Sequence, residues 1–115
     1  ERFDAGSYVV LTEALNRHDV GRGRGGLIKA LAASQVPTMV VGVDTDILYP
    51  YHQQEHISRN VNQLLAMAKI VSPVGHDAFL TEPRQMNRIL RNFLLLSAPN
   101  GLDVGPAYVG DEYYI

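Results

Sequence analysis

Apolar residues recur along this chain in patterns that predict helices alternating with strands. The stretch TMVVGV at residues 38–43 is apolar without alternation, which is typical of a parallel strand buried on both faces. A second, shorter strand is predicted at residues 68–72. Between them, the stretch after Pro50 carries apolar residues at helical spacing as far as Leu64 and Leu65, and this predicts a crossover helix.

Three further stretches have the apolar spacing of helices. Residues 7–18 are predicted to form one helix, capped by Asp4 or Ser7. Residues 27–34 contain helix formers and a short apolar face. A third helix starts at Pro83 and has apolar residues at i, i+3, i+4 and i+7.

The order of the predicted elements indicates the fold class. Two strands joined by a right-handed crossover helix are parallel. Two parallel strands do not form a stable sheet, so further strands must come from outside these residues. We therefore predict an α/β fold in which residues 1–115 form the C-terminal part of a larger domain, with residues 99–115 as an irregular tail. The first residue, Glu1, is not a methionine, which suggests a piece of a longer polypeptide.

Composition narrows the classes of function. The 115 residues are 46% hydrophobic and 19% charged, as in ordinary globular proteins, and the formal net charge of −2 gives no basic surface for nucleic acid or an anionic membrane. The chain contains no cysteine, which excludes disulfides, thiolate nucleophiles and cysteine metal sites. No apolar stretch approaches the roughly 18 residues of a membrane span. The expected location is the cytoplasm.

Polar residues with catalytic chemistry follow both predicted strands. Asp46 lies in GVDTDILYP after the first strand, and His76 lies in GHDAF after the second, thirty positions later. An Asp and a His at the ends of neighbouring parallel strands form two members of a nucleophilic triad. In such a triad the carboxylate holds the imidazole in one tautomer, and the imidazole deprotonates a hydroxyl group.

Other interpretations of these residues stay open at this point. Asp46 caps the helix after Pro50 in one of them, and His76 is then a loop histidine with a structural partner. Asp44 competes with Asp46 for the role of the acid. We favour Asp46, because the DxxxP pattern that it begins places it in the turn rather than at the strand end.

Two short motifs match known sites in a poor sequence context. Gly21, Gly23 and Gly26 match GxGxxG, but the preceding NRHDV is not a buried strand, so we interpret residues 19–26 as a flexible surface loop. The second motif is HxxEH, the inverted zinc-protease order, formed by His52, Glu55 and His56. Because His52 lies in the first turn of the predicted helix, we favour a solvated helix face and expect no metal.

The stretches RFDAGSY, GVDTDILYP and GHDAFLTE together resemble the C-terminal region of homoserine O-acetyltransferases, and the resemblance extends to about Ser97. The resemblance implies an α/β-hydrolase fold and a ping-pong acyl transfer in methionine biosynthesis. A serine takes the acetyl group from acetyl-CoA, and L-homoserine then accepts it. In this scheme Asp46 is the acid, His76 is the base, and Asp77 binds the homoserine amino group.

The resemblance also implies a nucleophile outside this chain and a homodimeric enzyme. None of its serines stands in a GxSxG frame, so the nucleophile is expected upstream, and the chain alone is expected to be inactive. Acetyl-CoA is a substrate, and no cofactor is expected. The family suggests a homodimer. Alternatives are a succinyl-CoA or serine acyltransferase, an esterase of the same fold, and a non-catalytic module derived from a hydrolase.

Overall fold

A computed structural model describes residues 4–98 of the chain, which form a mixed α/β structure. A 3₁₀ turn, Gly75–Asp77, lies directly before the helix that begins at Ala78. The predicted irregular tail, residues 99–115, lies outside the described residues. In chain order the helices and strands are α1 (Ala5–Arg17), α2 (Leu27–Ala32), β1 (Thr38–Val43), α3 (Tyr51–Asn60), β2 (Leu64–Ile70), α4 (Ala78–Thr81) and α5 (Pro83–Ser97).

The first helix begins earlier than the sequence predicted. The Asp4 carboxylate accepts a hydrogen bond from the Ser7 backbone N–H at 2.7 Å, so Asp4 rather than Ser7 is the cap. The helix therefore starts two residues before the predicted stretch. The second helix, α2, ends at Ala32, two residues earlier than predicted.

The two strands form a parallel pair, as the crossover pattern predicted. Strand β1 has the predicted bounds, and Val43 at its end pairs with Ile70 at the end of β2. The carboxyl ends of both strands consequently lie at the same edge of the sheet. Within residues 4–98 these strands pair only with each other, so the sheet is incomplete.

The boundary between α3 and β2 was predicted wrongly. The helix begins at Tyr51, with Pro50 as its capping residue, and ends at Asn60, where Val61 adopts an extended conformation. Leu64 and Leu65 fit the apolar spacing of the helix, but they begin β2, which ends two residues before the predicted end. Leu64 and Leu65 belong to a strand rather than to the helix because pairing between β1 and β2 satisfies the backbone hydrogen-bonding groups of both strands.

The helices α3 and α5 pack on opposite faces of the strand pair. Successive side chains of a strand point to opposite faces. At Gly42 a Cβ atom would lie 2.7 Å from the Tyr51 ring of α3. Its neighbour Val43 instead packs with the buried Ile70, Ala78 and Ile89, the last of which belongs to α5. The core of the described residues thus lies between the sheet and the segment from α4 to α5.

Many apolar side chains of the described segment are exposed to solvent. The α1 residues Tyr8, Val9, Val10, Leu11 and Leu15 are each more than half exposed. In residues 4–98, no helix has both the length and the apolar character needed to cross a bilayer.

Candidate active site

The side chains of Asp46 and His76 meet at the carboxyl edge of the strand pair. Asp46 lies three residues beyond the end of β1, in the turn that leads to α3. His76 is the central residue of the 3₁₀ turn that follows β2. Its Nδ1 lies 2.8 Å from Asp46 Oδ2. Two residues thirty positions apart in the chain therefore form a direct hydrogen bond.

The carboxylate of Asp46 has hydrogen-bond partners at both oxygens. Oδ1 accepts hydrogen bonds from the backbone N–H groups of Leu48 at 2.8 Å and Tyr49 at 2.9 Å. Oδ2 is left for His76, and the Asp46 side chain is only 7% exposed. The hydrogen bond from His76, followed by that from the Tyr49 N–H, lowers the pKa of Asp46 below its usual 3.8. The group is therefore an oriented, ionised acceptor.

This orientation determines which nitrogen of His76 is available for chemistry. An ionised carboxylate only accepts hydrogen bonds, so Nδ1 of His76 carries the proton. In a neutral imidazole the other nitrogen, Nε2, is then an acceptor. The His76 side chain is 37% exposed, so the ring is reachable from outside the described segment. The pair can thus remove a proton from a hydroxyl group held near Nε2.

Two aromatic side chains flank the imidazole. The Tyr49 ring lies 5.2 Å from the His76 ring between centroids, and the Phe79 ring lies 6.0 Å away in an edge-on arrangement. Both distances are within the range of favourable aromatic pairs. Together with Asp46 and His76, they line a cavity of about 280 Å³ at the edge of the sheet. The apolar wall beside a polar pair is typical of small-molecule sites.

The other acidic residues named from the sequence have different surroundings. Asp44 does not contact His76 but accepts a hydrogen bond from the Ser72 backbone N–H at 3.1 Å. Asp77 is exposed and follows His76 in the 3₁₀ turn. Its backbone carbonyl accepts a hydrogen bond from the Thr81 hydroxyl at 3.4 Å.

The two short motifs take no part in the hydrogen bond between Asp46 and His76. In the HxxEH motif, His52 is in the first turn of α3 and is exposed, as is His56, while Glu55 forms an ion pair with Arg59 at 3.7 Å. Among residues 4–98, no three His, Cys, Asp or Glu side chains are grouped so that they could hold a metal ion. The glycine motif follows helix α1 rather than a strand, which is the wrong context for a dinucleotide site.

Sequence reasoning did not single out Tyr49 and Phe79, which flank His76, or Thr45 and Ser72, whose hydrogen bond joins the two loops. Tyr49 and Phe79 are inside the motifs GVDTDILYP and GHDAF, so their proximity to Asp46 and His76 in the chain was a usable signal. Ser72 carried no such signal. It is 3% exposed and contacts the other loop only through the tertiary structure.

Comparison with known proteins gives a consistent result. No protein-family model matches the chain. The chain is 77% identical to a homoserine O-acetyltransferase of Corynebacterium efficiens over 100 residues, which cover 87% of this chain and 26% of that protein. It is 70% identical to the homoserine O-acetyltransferase of Corynebacterium glutamicum over 115 residues, which cover 100% of the chain and 30% of the relative.

A more distant relative agrees with the first two. The homoserine O-acetyltransferase of Mycobacterium avium is 46% identical over 112 residues, which cover 97% of this chain and 29% of the relative. In these comparisons the chain matches the C-terminal part of the relatives. The chain therefore spans less than a third of the length of these curated relatives.

Proposed function

The chain belongs to the homoserine O-acetyltransferase family, and we propose that it supplies the carboxylate and the general base for acyl transfer to a hydroxyl group. The observation that carries this proposal is the 2.8 Å hydrogen bond between His76 Nδ1 and Asp46 Oδ2. The bond leaves Nε2 as the proton acceptor beside a cavity at the sheet edge. We further propose that the strand pair belongs to an α/β-hydrolase fold, in which the histidine and the acid follow parallel strands.

In the proposed reaction the donor is acetyl-CoA and the acceptor is L-homoserine. His76 Nε2 takes the proton of a serine hydroxyl as its oxygen attacks the thioester carbonyl. The carbon–sulfur bond then breaks, and the proton passes to the CoA thiolate. In the second half, His76 takes the proton of the homoserine hydroxyl, which attacks the acyl-enzyme and releases O-acetyl-L-homoserine. The proton finally returns to the serine oxygen.

The nucleophilic serine is expected outside residues 1–115. No serine of the chain stands in a GxSxG frame, which in this fold places the hydroxyl on a sharp turn between a strand and a helix. Trapping the acetyl-enzyme of the complete natural polypeptide and mapping it by mass spectrometry tests this expectation. An acetyl group on a serine within residues 1–115 would contradict it.

Replacement of His76 by Ala tests the central proposal. In the complete polypeptide, His76→Ala should lower homoserine-dependent CoA release from acetyl-CoA by about 10³-fold or more, because no group remains to remove either proton. His56→Ala is a matched control, since His56 is an exposed histidine of α3, and it should retain activity. Retained activity in the His76 variant would refute the role. CoA release by the unaltered protein without homoserine would instead indicate a hydrolase.

We also propose that Asp77 binds the ammonium group of homoserine. Asp77 is exposed and directly follows the proposed base, and a carboxylate complements an ammonium ion. Asp77→Asn removes the charge but keeps the size of the side chain. The expected result is a KM for homoserine raised by about 10-fold or more, with the KM for acetyl-CoA little changed. Equal changes in both constants would argue against this contact.

A further inference from the structure

The loops that carry Asp46 and His76 are joined to each other beyond the end of the sheet. The last hydrogen bond of the strand pair runs from the Asp44 backbone N–H to the Ile70 carbonyl at 3.1 Å. After it, one chain turns towards α3 and the other towards the 3₁₀ turn. The regular pairing of β1 and β2 therefore does not by itself hold His76 beside Asp46.

The loop between β2 and the 3₁₀ turn is bound to the loop after β1 at Ser72. The Ser72 backbone N–H donates to Asp44 Oδ1 at 3.1 Å, and its carbonyl accepts a hydrogen bond from the Thr45 hydroxyl at 2.5 Å. Ser72 is 3% exposed. The peptide groups of this buried residue are thus bound by the side chains of two consecutive residues, Asp44 and Thr45. A lost partner would leave a buried polar group of Ser72 without its hydrogen bond.

The chain between Ser72 and His76 also lies against Thr45. The Ser72 hydroxyl accepts a hydrogen bond from the Val74 backbone N–H at 3.2 Å, which tightens the loop. Gly75 follows with a φ of 79°, a conformation that favours glycine. A Cβ atom on Gly75 would lie 3.5 Å from the Thr45 carbonyl oxygen. The loop that ends at His76 thus passes over the residue that precedes Asp46.

We propose that Asp44 and Thr45 are positioning residues for the Asp46–His76 pair. Residues 44, 45 and 46 are consecutive: the first two hold Ser72, and the third binds His76. The side chains of Asp44 and Thr45 thereby set where the 3₁₀ turn begins relative to Asp46. This inference rests on the proposed function, because it assigns the two residues a part in proton transfer through His76.

Substitutions at Thr45 separate this role from simple packing. Thr45→Val keeps the shape of the side chain but removes the hydroxyl that donates to Ser72, whereas Thr45→Ser keeps the hydroxyl. In the complete natural polypeptide, Thr45→Val should lower kcat by about 10- to 100-fold with a smaller change in KM, because misplacement by about 1 Å costs that much in a positioned proton transfer. Thr45→Ser should stay within about threefold of the unaltered protein.

Asp44 gives a second, independent pair of variants. Asp44→Ala removes the acceptor for the Ser72 N–H, whereas the side-chain oxygen of Asp44→Asn still accepts a hydrogen bond. We expect the Ala variant to behave as Thr45→Val does, and the Asn variant to retain most of the activity. The matched control for lost hydroxyls is Thr38→Val, since Thr38 donates to the Val36 carbonyl at 2.8 Å at the opposite end of β1. It should leave kcat within about twofold.

A spectroscopic measurement reports on the pair without any substrate. The ¹H NMR resonance of the His76 Nδ1 proton depends on its hydrogen bond to Asp46. Thr45→Val should shift and broaden this resonance, because a looser loop lengthens the bond and speeds proton exchange with water. Thr38→Val and Thr45→Ser should leave it in place. A merely structural role of Thr45 would lower the melting temperature without moving the resonance.

The results distinguish this inference from the proposed function. An unmoved resonance and an unchanged kcat in Thr45→Val would overturn the positioning role, as would an equal loss in Thr45→Ser. If His76→Ala retains activity, the proposed function fails, and a resonance that moves in Thr45→Val would then still establish that Thr45 holds the pair together. If His76→Ala is inactive and Thr45→Val is fully active, only the positioning role is refuted.

Discussion

At the scale of single residues, the Asp46 carboxylate takes part in three hydrogen bonds, two at Oδ1 and one at Oδ2. The backbone N–H groups of Leu48 and Tyr49 hold Oδ1, while Oδ2 faces His76. Rotation of the carboxylate away from the imidazole would break the contacts of both oxygens. The two backbone hydrogen bonds at Oδ1 therefore hold Oδ2 in the orientation in which it accepts the hydrogen bond from His76.

The pH dependence of this contact follows from the lowered pKa of Asp46. Its hydrogen bonds favour the charged form, so the contribution of Asp46 to stability is fully present above the pKa of the unfolded chain. It is lost as the pH falls through the lower pKa of the folded protein. A ¹³C NMR titration of the Asp46 carboxyl carbon should give a midpoint below the usual 3.8.

A variant identifies the cause of this lowered pKa. In His76→Ala the largest contribution is removed, so the midpoint of Asp46 should move up towards its usual value. It should not reach it fully, because the N–H groups of Leu48 and Tyr49 still donate. A midpoint that is identical with and without the imidazole would show that the hydrogen bond has no influence on the carboxylate.

The choice between the acids could be made partly from the sequence. The turn pattern favoured Asp46 over Asp44, and in the structure Asp46 is the one that contacts His76. Its role in catalysis stays a prediction, as does that of Asp77. The contact of Asp44 with Ser72 was not foreseen, because these residues are 28 positions apart and no local pattern connects them.

At the scale of helices and strands, the parallel pair brings both loops to one edge. The uninterrupted apolar pattern of β1 identified its bounds correctly, because a short apolar run without alternation is typical of a strand buried on both faces. The start of β2 was missed. Leu64 and Leu65 satisfy the helical spacing of α3 and the requirements of a strand alike, and only the pairing with β1 distinguishes them.

The fit of α3 on β1 depends on the absence of a side chain at Gly42. In Gly42→Ala, the new Cβ atom would lie 2.7 Å from Tyr51 Cδ2 and 3.0 Å from Gln54 Cγ, so the helix or its side chains must move. We expect a loss of about 1–3 kcal/mol in the free energy of unfolding, measured by urea denaturation of the complete polypeptide.

A double-mutant cycle checks the cause of that loss. Removal of the ring in Tyr51→Ala leaves only the contact with Gln54, so Gly42→Ala should cost less in that background. The cycle also cancels the direct cost of losing Tyr51, whose ring lies 4.3 Å from Lys69 Nζ. An equal cost in both backgrounds would exclude the clash with Tyr51 as the cause.

At the scale of the whole molecule, the described segment is mixed α/β with an incomplete sheet, as the sequence predicted. Its two strands pair only with each other within residues 4–98, and the apolar side chains of α1 are more than half exposed. The chain also spans less than a third of the length of the relatives described above. These observations agree with a sheet that is incomplete within the described residues.

The sequence by itself determined the features that local chemistry encodes. They are the strand pattern of β1, the amphipathic helix from Pro83, and the placement of an acid and a histidine after strands. Only the tertiary structure decided where α3 ends and β2 begins, that Asp46 and His76 are in direct contact, and that Asp44 and Thr45 hold Ser72. The physical reason is that these outcomes depend on the register of two strands, which brings together hydrogen-bonding groups that are far apart in the chain.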